Sequence, residues 1–254
     1  MKFPETPALQ RVRLAVRAWC MEFSPPGAVV VGCSGGADST ALVAGCRAEG
    51  LTVRAVAVDH GLQVGSADVA AEAAARAETF GATAVVVRAE VAGPGGTEAA
   101  ARRARQAALR EAAGGRPVLL GHTLDDQAET VLLGLGRGAG AGSLQAMAAW
   151  SEPWGRPLLG IRRADTLAAC ADLGIEPWAD PHNVDPRFAR VRVRNEVLPL
   201  LEDVLQGGVA EALARTARRL REDEDVLGAL AAELLARARR GSTIDAETLA
   251  GAPV

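Results

Sequence analysis

The sequence predicts an α/β protein, a parallel sheet wrapped by helices and followed by a small helical region, and three observations carry that expectation. Short valine-rich apolar runs alternate with longer amphipathic stretches through the first half of the chain, the signature of repeated β-α units. A glycine pair directly follows the first of those runs and opens a helix-like stretch. From about residue 195 onward the apolar residues recur only at three- and four-residue spacing, which is helical periodicity.

Taken in order, a helix is expected over residues 7–22, then a strand at 28–31, a helix at 38–49 and a strand at 53–58. A third helix, 66–80, begins at Ser66, whose hydroxyl suits a helix start. The third apolar run, 84–87, is separated by a glycine- and proline-containing break at 92–96 from a helix at 97–113 that begins at Thr97. The fourth run, 117–120, leads to a helix at 125–135, which the glycine-rich stretch 134–142 ends. The runs are apolar and rich in β-branched valine, so each is a candidate central strand. After Trp150 come a Pro/Trp/Gly segment at 152–157, a short helix near 163–173 and a charged, proline-containing loop at 176–186. Helical stretches at 209–220 and 222–240 follow, so the chain divides into a domain at 1–195 and a helical region at 196–254, whose completeness the sequence leaves open.

At 254 residues, 49% apolar and 23% charged, the chain has the balance of a globular protein with a sizeable core. No apolar run approaches the roughly 20 residues that cross a bilayer, and the N-terminus lacks the apolar core of a secretory signal. No membrane role and a cytoplasmic location are therefore expected. Cys20, Cys33, Cys46 and Cys170 are scattered without a C-x-x-C pair, which points to reduced buried thiols rather than a zinc site or disulfides. Net charge is −3, with 14 basic and 14 acidic side chains in residues 1–150 and 14 and 17 in 151–254. That balance argues mildly against an extended nucleic-acid binder. It leaves room for a local patch, and Arg187, Arg190, Arg192 and Arg194 form the densest one, as a phosphate contact or as an internally paired face.

The first strand runs straight into Ser34-Gly35-Gly36-Ala37-Asp38-Ser39 and then into a helix. Adjacent glycines let backbone N–H groups approach an anion, and the helix N-terminus favours negative charge. The hydroxyls of Ser34, Ser39 and Thr40 add donors. The pattern is not a Walker loop, whose lysine is missing. An aspartate inside an anion-binding loop calls for a cation, so Asp38 is a candidate Mg²⁺ partner.

The S-G-G-x-D-S string resembles the PP-loop of the ATP pyrophosphatases, whose adenine nucleotide alpha hydrolase-like, Rossmann-like domain splits ATP between its α- and β-phosphates. Asp59-His60-Gly61-Leu62 and the helix string Ala101-Arg102-Arg103-Ala104-Arg105-Gln106 resemble elements of the tRNA(Ile)-lysidine synthase family, with Gln106 where that family has tyrosine. Gly121-His122-Thr123-Leu124-Asp125-Asp126-Gln127-Ala128-Glu129-Thr130 is similar to the same family's G-H-x-x-D-D-Q-x-E-T signature. Arg137-Gly138-Ala139-Gly140, Arg156-Pro157-Leu158-Leu159 and Asp180-Pro181-His182-Asn183 match its R-G-x-G, R-P-L-L and D-x-x-N elements. The ending Arg190-Val191-Arg192-Val193-Arg194 departs from it at Val191. The resemblance covers about residues 25–200, and its force lies in the fixed order of the motifs.

The resemblance implies a ligase that adenylates the C2 carbonyl oxygen of the wobble cytidine in the CAU anticodon of an isoleucine tRNA, after which the side-chain amine of L-lysine displaces AMP. It assigns ATP binding to Ser34, Gly35, Gly36, Ala37, Asp38 and Ser39, with Asp59 and His60 near the nucleoside, and phosphate stabilisation to Arg102 or Arg105. It places His122, Asp126 and Glu129 among the catalytic groups. Asp126 and Glu129, three apart on one helix face, can hold Mg²⁺ or the lysine ammonium, with Asp38 and Asp126 as the metal candidates. D-D-Q-x-E is equally an ordinary acidic first turn. Two other readings keep the fold: a tRNA thiolation enzyme, and a nucleotide- or tRNA-binding module without turnover. Oligomeric state is open, a homodimer included.

Overall fold

In the computed structural model, residues 3–61, 65–90, 96–138 and 140–251 are described. Leu62, most of the break expected at 92–96, Ala139 and the last three residues lie outside them, as does the Thr97 side chain. Helix α1 (Pro7–Phe23) starts with proline at a position whose N–H would be unpaired in any case. It buries Leu9, Val12, Val16 and Trp19 as one stripe.

Strands β1 (Ala28–Gly32), β2 (Thr52–Asp59), β3 (Thr83–Arg88) and β4 (Val118–Leu119) pair in parallel in the order β3-β2-β1-β4, with Val31 opposite both Ala55 and Leu119. The two faces of β1 feed different cores, as the two-residue period of a strand requires. Val29 and Val31 pack with α1 and with helix α2 (Ala37–Ala48), whereas Val30 packs with Val56, Val118 and Leu109. Leu109 belongs to α4 (Gly96–Ala113), which covers the second face, while α3 (Ser66–Thr79) buries Ala70, Ala73 and Ala77 against the first.

The sequence reading placed no strand after β4, and the structure corrects this. After α5 (Leu124–Gly136) and the short α6 (Ala141–Leu144), β5 (Trp150–Ser151) and β6 (Trp154–Gly155) extend the sheet to six strands, β6 parallel to β4 and β5 antiparallel at the edge. Gly155 is where the glycine matters: a Cβ there would stand 2.6 Å from a Leu119 methyl and collide with the Trp19 ring. Helix α7 (Arg163–Asp172) then packs against α1 and α2.

A 3-10 turn (Pro181–Val184) precedes α8 (Ala189–Arg192), which passes through a π-helical turn (Val193–Val197) into α9 (Leu198–Val204). The two stretches expected at 209–220 and 222–240 are one helix, α10 (Val209–Ala238). It ends before residue 240 because Arg239 and Arg240 turn extended as β7 (Arg239–Arg240), paired with β8 (Thr243–Ile244) ahead of α11 (Ala246–Ala250). Ala210 near the start of α10 joins Leu124, Ala128 and Leu198 in a separate small core, so α10 is seated on α5. No helix among the described residues is long and apolar enough to cross a membrane.

From β1 the chain builds outward through β2 to β3, then returns over α4 to β4 on the other side of β1. The reversal leaves a crevice at the carboxyl ends of β1 and β4, the usual ligand position in an open parallel sheet.

Candidate active site

The loop from Ser34 to Ser39 sits at that crevice. Gly35 takes φ +81°, a conformation that side chains resist, and its carbonyl accepts from the Trp178 backbone N–H at 3.0 Å and from Arg76 Nη1 at 3.2 Å. With that carbonyl turned away, the loop is free to present N–H groups to the cleft. The Ser34 N–H donates to Ser39 Oγ at 3.1 Å, and Ser39 Oγ donates to the Gly36 carbonyl at 3.1 Å, so the two serines brace the turn at the start of α2. Across the crevice, a Cβ on Gly121 would lie 2.8 Å from the Asp38 carbonyl carbon. Only glycine lets the β4–α5 loop approach so closely.

A cavity of about 220 Å³ opens here, lined on one side by Ser34, Gly36, Asp38 and Ser39 and on the other by Arg102, Arg105, Gln106, His122 and Arg156. Burial and the neighbouring Arg102 both lower the pKa of Arg105. Burial likewise acts on Arg156, joined by Arg102 and Arg221. Cations crowded into a partly buried wall suit a polyanion. Arg156 is fixed by a 2.9 Å bond from Nη1 to the Ala148 carbonyl, while its buried Nε finds no acceptor among the described residues. Burial drives the His122 imidazole down to about 4, against the opposing pull of Asp126, so the ring is neutral at pH 7. Its buried Nδ1 is also unpaired among the described residues.

Beside the cavity lies a cluster of three carboxylates. Thr123 caps α5, donating to Asp126 Oδ2 from its N–H at 2.8 Å and its hydroxyl at 3.0 Å. Asp126 Oδ1 accepts from Arg163 Nη2 at 2.8 Å. Glu129, one turn on and fully buried, accepts from Arg163 Nη1 at 3.1 Å and forms a two-pronged pair with Arg194 at 2.7 and 3.0 Å. The Arg163 Nε stands 3.6 Å from Asp38 Oδ2, and the Thr166 hydroxyl donates to Asp38 Oδ1. Burial pushes Asp38 above the ordinary carboxylate range despite Thr166 and Arg163. For Asp126 burial is outweighed by Arg163 and the Thr123 bonds, which hold it below that range.

The structure thus brings Ser34, Gly35, Gly36, Ala37, Asp38, Ser39, Arg102, Arg105, His122, Asp126 and Glu129 to one end of the sheet. Asp59 and His60, at the end of β2, do not line the described cavity. Asp59 Oδ1 instead accepts from Ser66 Oγ at 2.6 Å and the Gly61 N–H at 2.9 Å, closing its own turn. The arginines near the chain's second half are internally engaged: Arg187 with Asp185, Arg192 with Glu196, Arg190 with Thr130, and Arg194 with Glu129. Sequence reasoning missed Arg163 and Thr166, which belong to no motif it recognised. The only available signal was their i, i+3 spacing at the start of a short helix.

Among the described residues no group of three or more His, Cys, Asp or Glu side chains is arranged to hold a metal by protein donors alone. Mg²⁺ bound with a nucleotide takes one or two carboxylates and completes its shell with phosphates and water. Asp38 fits that mode, because it borders the cavity and, among the described residues, its Oδ2 is paired only at 3.6 Å with Arg163.

Residues 10–201 match the PP-loop domain family. The chain is 60% identical over 254 residues to a tRNA(Ile)-lysidine synthase of Rhodococcus erythropolis, spanning all of this chain and 78% of that protein. It is 62% identical over 245 residues to the enzyme of the same name from Nocardia farcinica, spanning 95% of this chain and 77% of its relative. The chain belongs to the tRNA(Ile)-lysidine synthase family. A third member, from Mycobacterium tuberculosis, is 56% identical over 228 residues, covering 88% of this chain and 70% of its own.

The synthase family resemblance drawn from the ordered motifs is therefore borne out, and with it the ATP-using PP-loop fold. Among solved structures, the U34-tRNA thiolase NcsA from Methanococcus maripaludis, with its [4Fe-4S] cluster, is similar at a TM-score of 0.67 over 85% of this chain and 80% of the thiolase. At 18% identity that likeness speaks to the fold alone. The synthase family, by contrast, is fixed by more than half of all residues.

Proposed function

We propose that this chain is an AMP-forming ligase that joins L-lysine to C2 of the wobble cytidine in the CAU anticodon of isoleucine tRNA. The observation that carries the reading is the adjacency of a phosphate-binding cleft and an arginine-paired carboxylate cluster, joined through Asp38, which borders the cleft and faces Arg163 of the cluster. The 60% identity to a named synthase over the whole chain supports it. Residues 1–195 would form the catalytic unit, with 196–254 as a helical appendage.

In the first half-reaction the C2 oxygen of the cytidine attacks the α-phosphorus of ATP and pyrophosphate leaves. The N–H groups of the glycine loop, the α2 N-terminus and either Arg102 or Arg105 stabilise the charge on the phosphates. Mg²⁺ held by Asp38 would supply further neutralisation there, whereas the oxygens of Asp126, the other metal candidate, are taken by Arg163 and the Thr123 donors. In the second, the lysine ε-ammonium gives a proton to solvent water and the neutral amine attacks C2, breaking the C2–O bond to release AMP, while Asp126 and Glu129, paired with Arg163 and Arg194, form the adjoining wall. His122, neutral and lacking a partner on Nδ1 among the described residues, is suited to accept a hydrogen bond or proton. A wobble base unstacked from a single-stranded loop can reach such a site.

The test is mass analysis of the nucleosides of isoleucine tRNA after incubation with the chain, ATP, Mg²⁺ and lysine. Conversion of the wobble cytidine to its lysine adduct is expected. A sulfur-bearing nucleoside, or an unmodified cytidine alongside bound ATP, would move the reading to thiolation or to a module without turnover. A homodimer is compatible with the reading and is not required by it.

A further inference from the structure

We propose that the first turn of α7 is a positioning element of the active site, with Arg163 as the residue that holds the phosphate-side carboxylate and the amine-side carboxylates in one fixed frame. The idea rests on the ligase reading above. Its starting point is geometry: one guanidinium reaches Asp126 Oδ1 at 2.8 Å, Glu129 Oε1 at 3.1 Å and Asp38 Oδ2 at 3.6 Å. No other side chain among the described residues bridges all three.

Charge makes such a bridge necessary. Asp38, Asp126 and Glu129 would repel one another in a partly buried site without cations between them. Arg163 and Arg194 supply two, and Arg190 Nη1 stands 3.8 Å from Glu129 Oε2. Arg194 and Arg190 approach from the α8 side and pair with α5, whereas Arg163, alone among the described arginines, spans from α5 to the start of α2. A planar fork with several N–H donors suits that task, since it fixes each carboxylate oxygen in direction as well as distance.

The turn that carries Arg163 is itself anchored. Its backbone N–H donates to Asp125 Oδ2 at 2.7 Å, and Thr166, one turn on and fully buried, gives its hydroxyl to Asp38. α7 packs along α1 and α2, so these donors ride on the same rigid layer as the phosphate loop. Asp38 and the α5 carboxylates are thereby held in register before any substrate arrives. Arg163 touches no phosphate in this account, so its contribution is the placement of groups that do.

The experiment compares wild type with Arg163→Gln and Arg163→Lys in the full chain, measuring pyrophosphate release, lysine transfer to tRNA and melting temperature. For Arg163→Gln, kcat for lysine transfer is expected to fall about 100-fold, the scale of a misplacement of about 1 Å. KM for ATP stays within about twofold, because the phosphate-loop donors are untouched. Arg163→Lys should recover about a tenth of wild-type kcat through its charge without its fork. Wild-type kcat in Arg163→Gln would overturn the proposal. So would a deficit that Arg163→Lys leaves unrelieved and that follows a lowered melting temperature, since that is the mark of a purely structural arginine. Absence of lysine transfer by the wild type would instead overturn the ligase reading itself.

Discussion

Asp38 is asked to do opposite things by its surroundings. It stands at the start of a helix that attracts anions, where burial raises its pKa, yet a hydroxyl and a guanidinium keep its charged form within reach. Asp38→Asn preserves its size and removes its charge, and pyrophosphate release is expected to drop by at least about 100-fold with the fold intact by circular dichroism. Wild-type release would remove Asp38 from the chemistry. His122 gives a pH-dependent outcome whose sign follows from its lowered pKa of about 4. The unfolded imidazole titrates near 6.5, so the folded state disfavours the proton. Its contribution to stability is complete above about pH 6.5 and is lost as pH falls toward 4. Relative to wild type, His122→Asn should therefore lose roughly 1–3 kcal/mol less stability between pH 7 and 4.5, read from urea midpoints. Parallel losses in both proteins would show that another group controls that limb.

At the scale of elements, α5 is the hub. Its cap orients Asp126, its second turn buries Glu129, and its outer face receives α10. Glu129 is the side chain whose loss the structure can least absorb, because Arg163 and Arg194 both close on it. Glu129→Gln leaves buried guanidinium charge uncompensated and should lower unfolding free energy by about 3–5 kcal/mol, with lysine transfer lost as well. A variant as stable as wild type would mean that water or another carboxylate replaces it. This network was only partly legible beforehand. Asp126 and Glu129 announced themselves by spacing, but Arg163 and Thr166 come from a helix some 35 residues later, and no local pattern tells which partner a distant arginine will find. Arg194 was visible as part of a basic run, which composition alone could equally assign to solvent, to phosphate or to Glu129. The β5–β6 hairpin was missed because two-residue strands, Trp150–Ser151 and Trp154–Gly155, carry no alternation to read.

For the molecule as a whole, the four main strands fell where short apolar runs predicted them, the buried β1 being apolar throughout, while β2 carries Arg54 and β3 is only half-buried. The order β3-β2-β1-β4 could not be read from those runs, and yet it is what turns separate motifs into a site: by reversing at β1 it sets Ser34–Ser39 against Gly121 and His122. The cation-lined wall beside an arginine-paired carboxylate cluster is the physical basis for a two-step reaction, in which an anionic pyrophosphate leaves first and a neutral amine attacks second. The most direct test of that claim is to incubate the purified chain with radiolabelled lysine, ATP, Mg²⁺ and isoleucine tRNA bearing a CAU anticodon, and to count label retained on the tRNA. Label that requires ATP and disappears when the wobble cytidine is replaced by uridine is the expected result; label that is absent, or indifferent to either, would contradict the account.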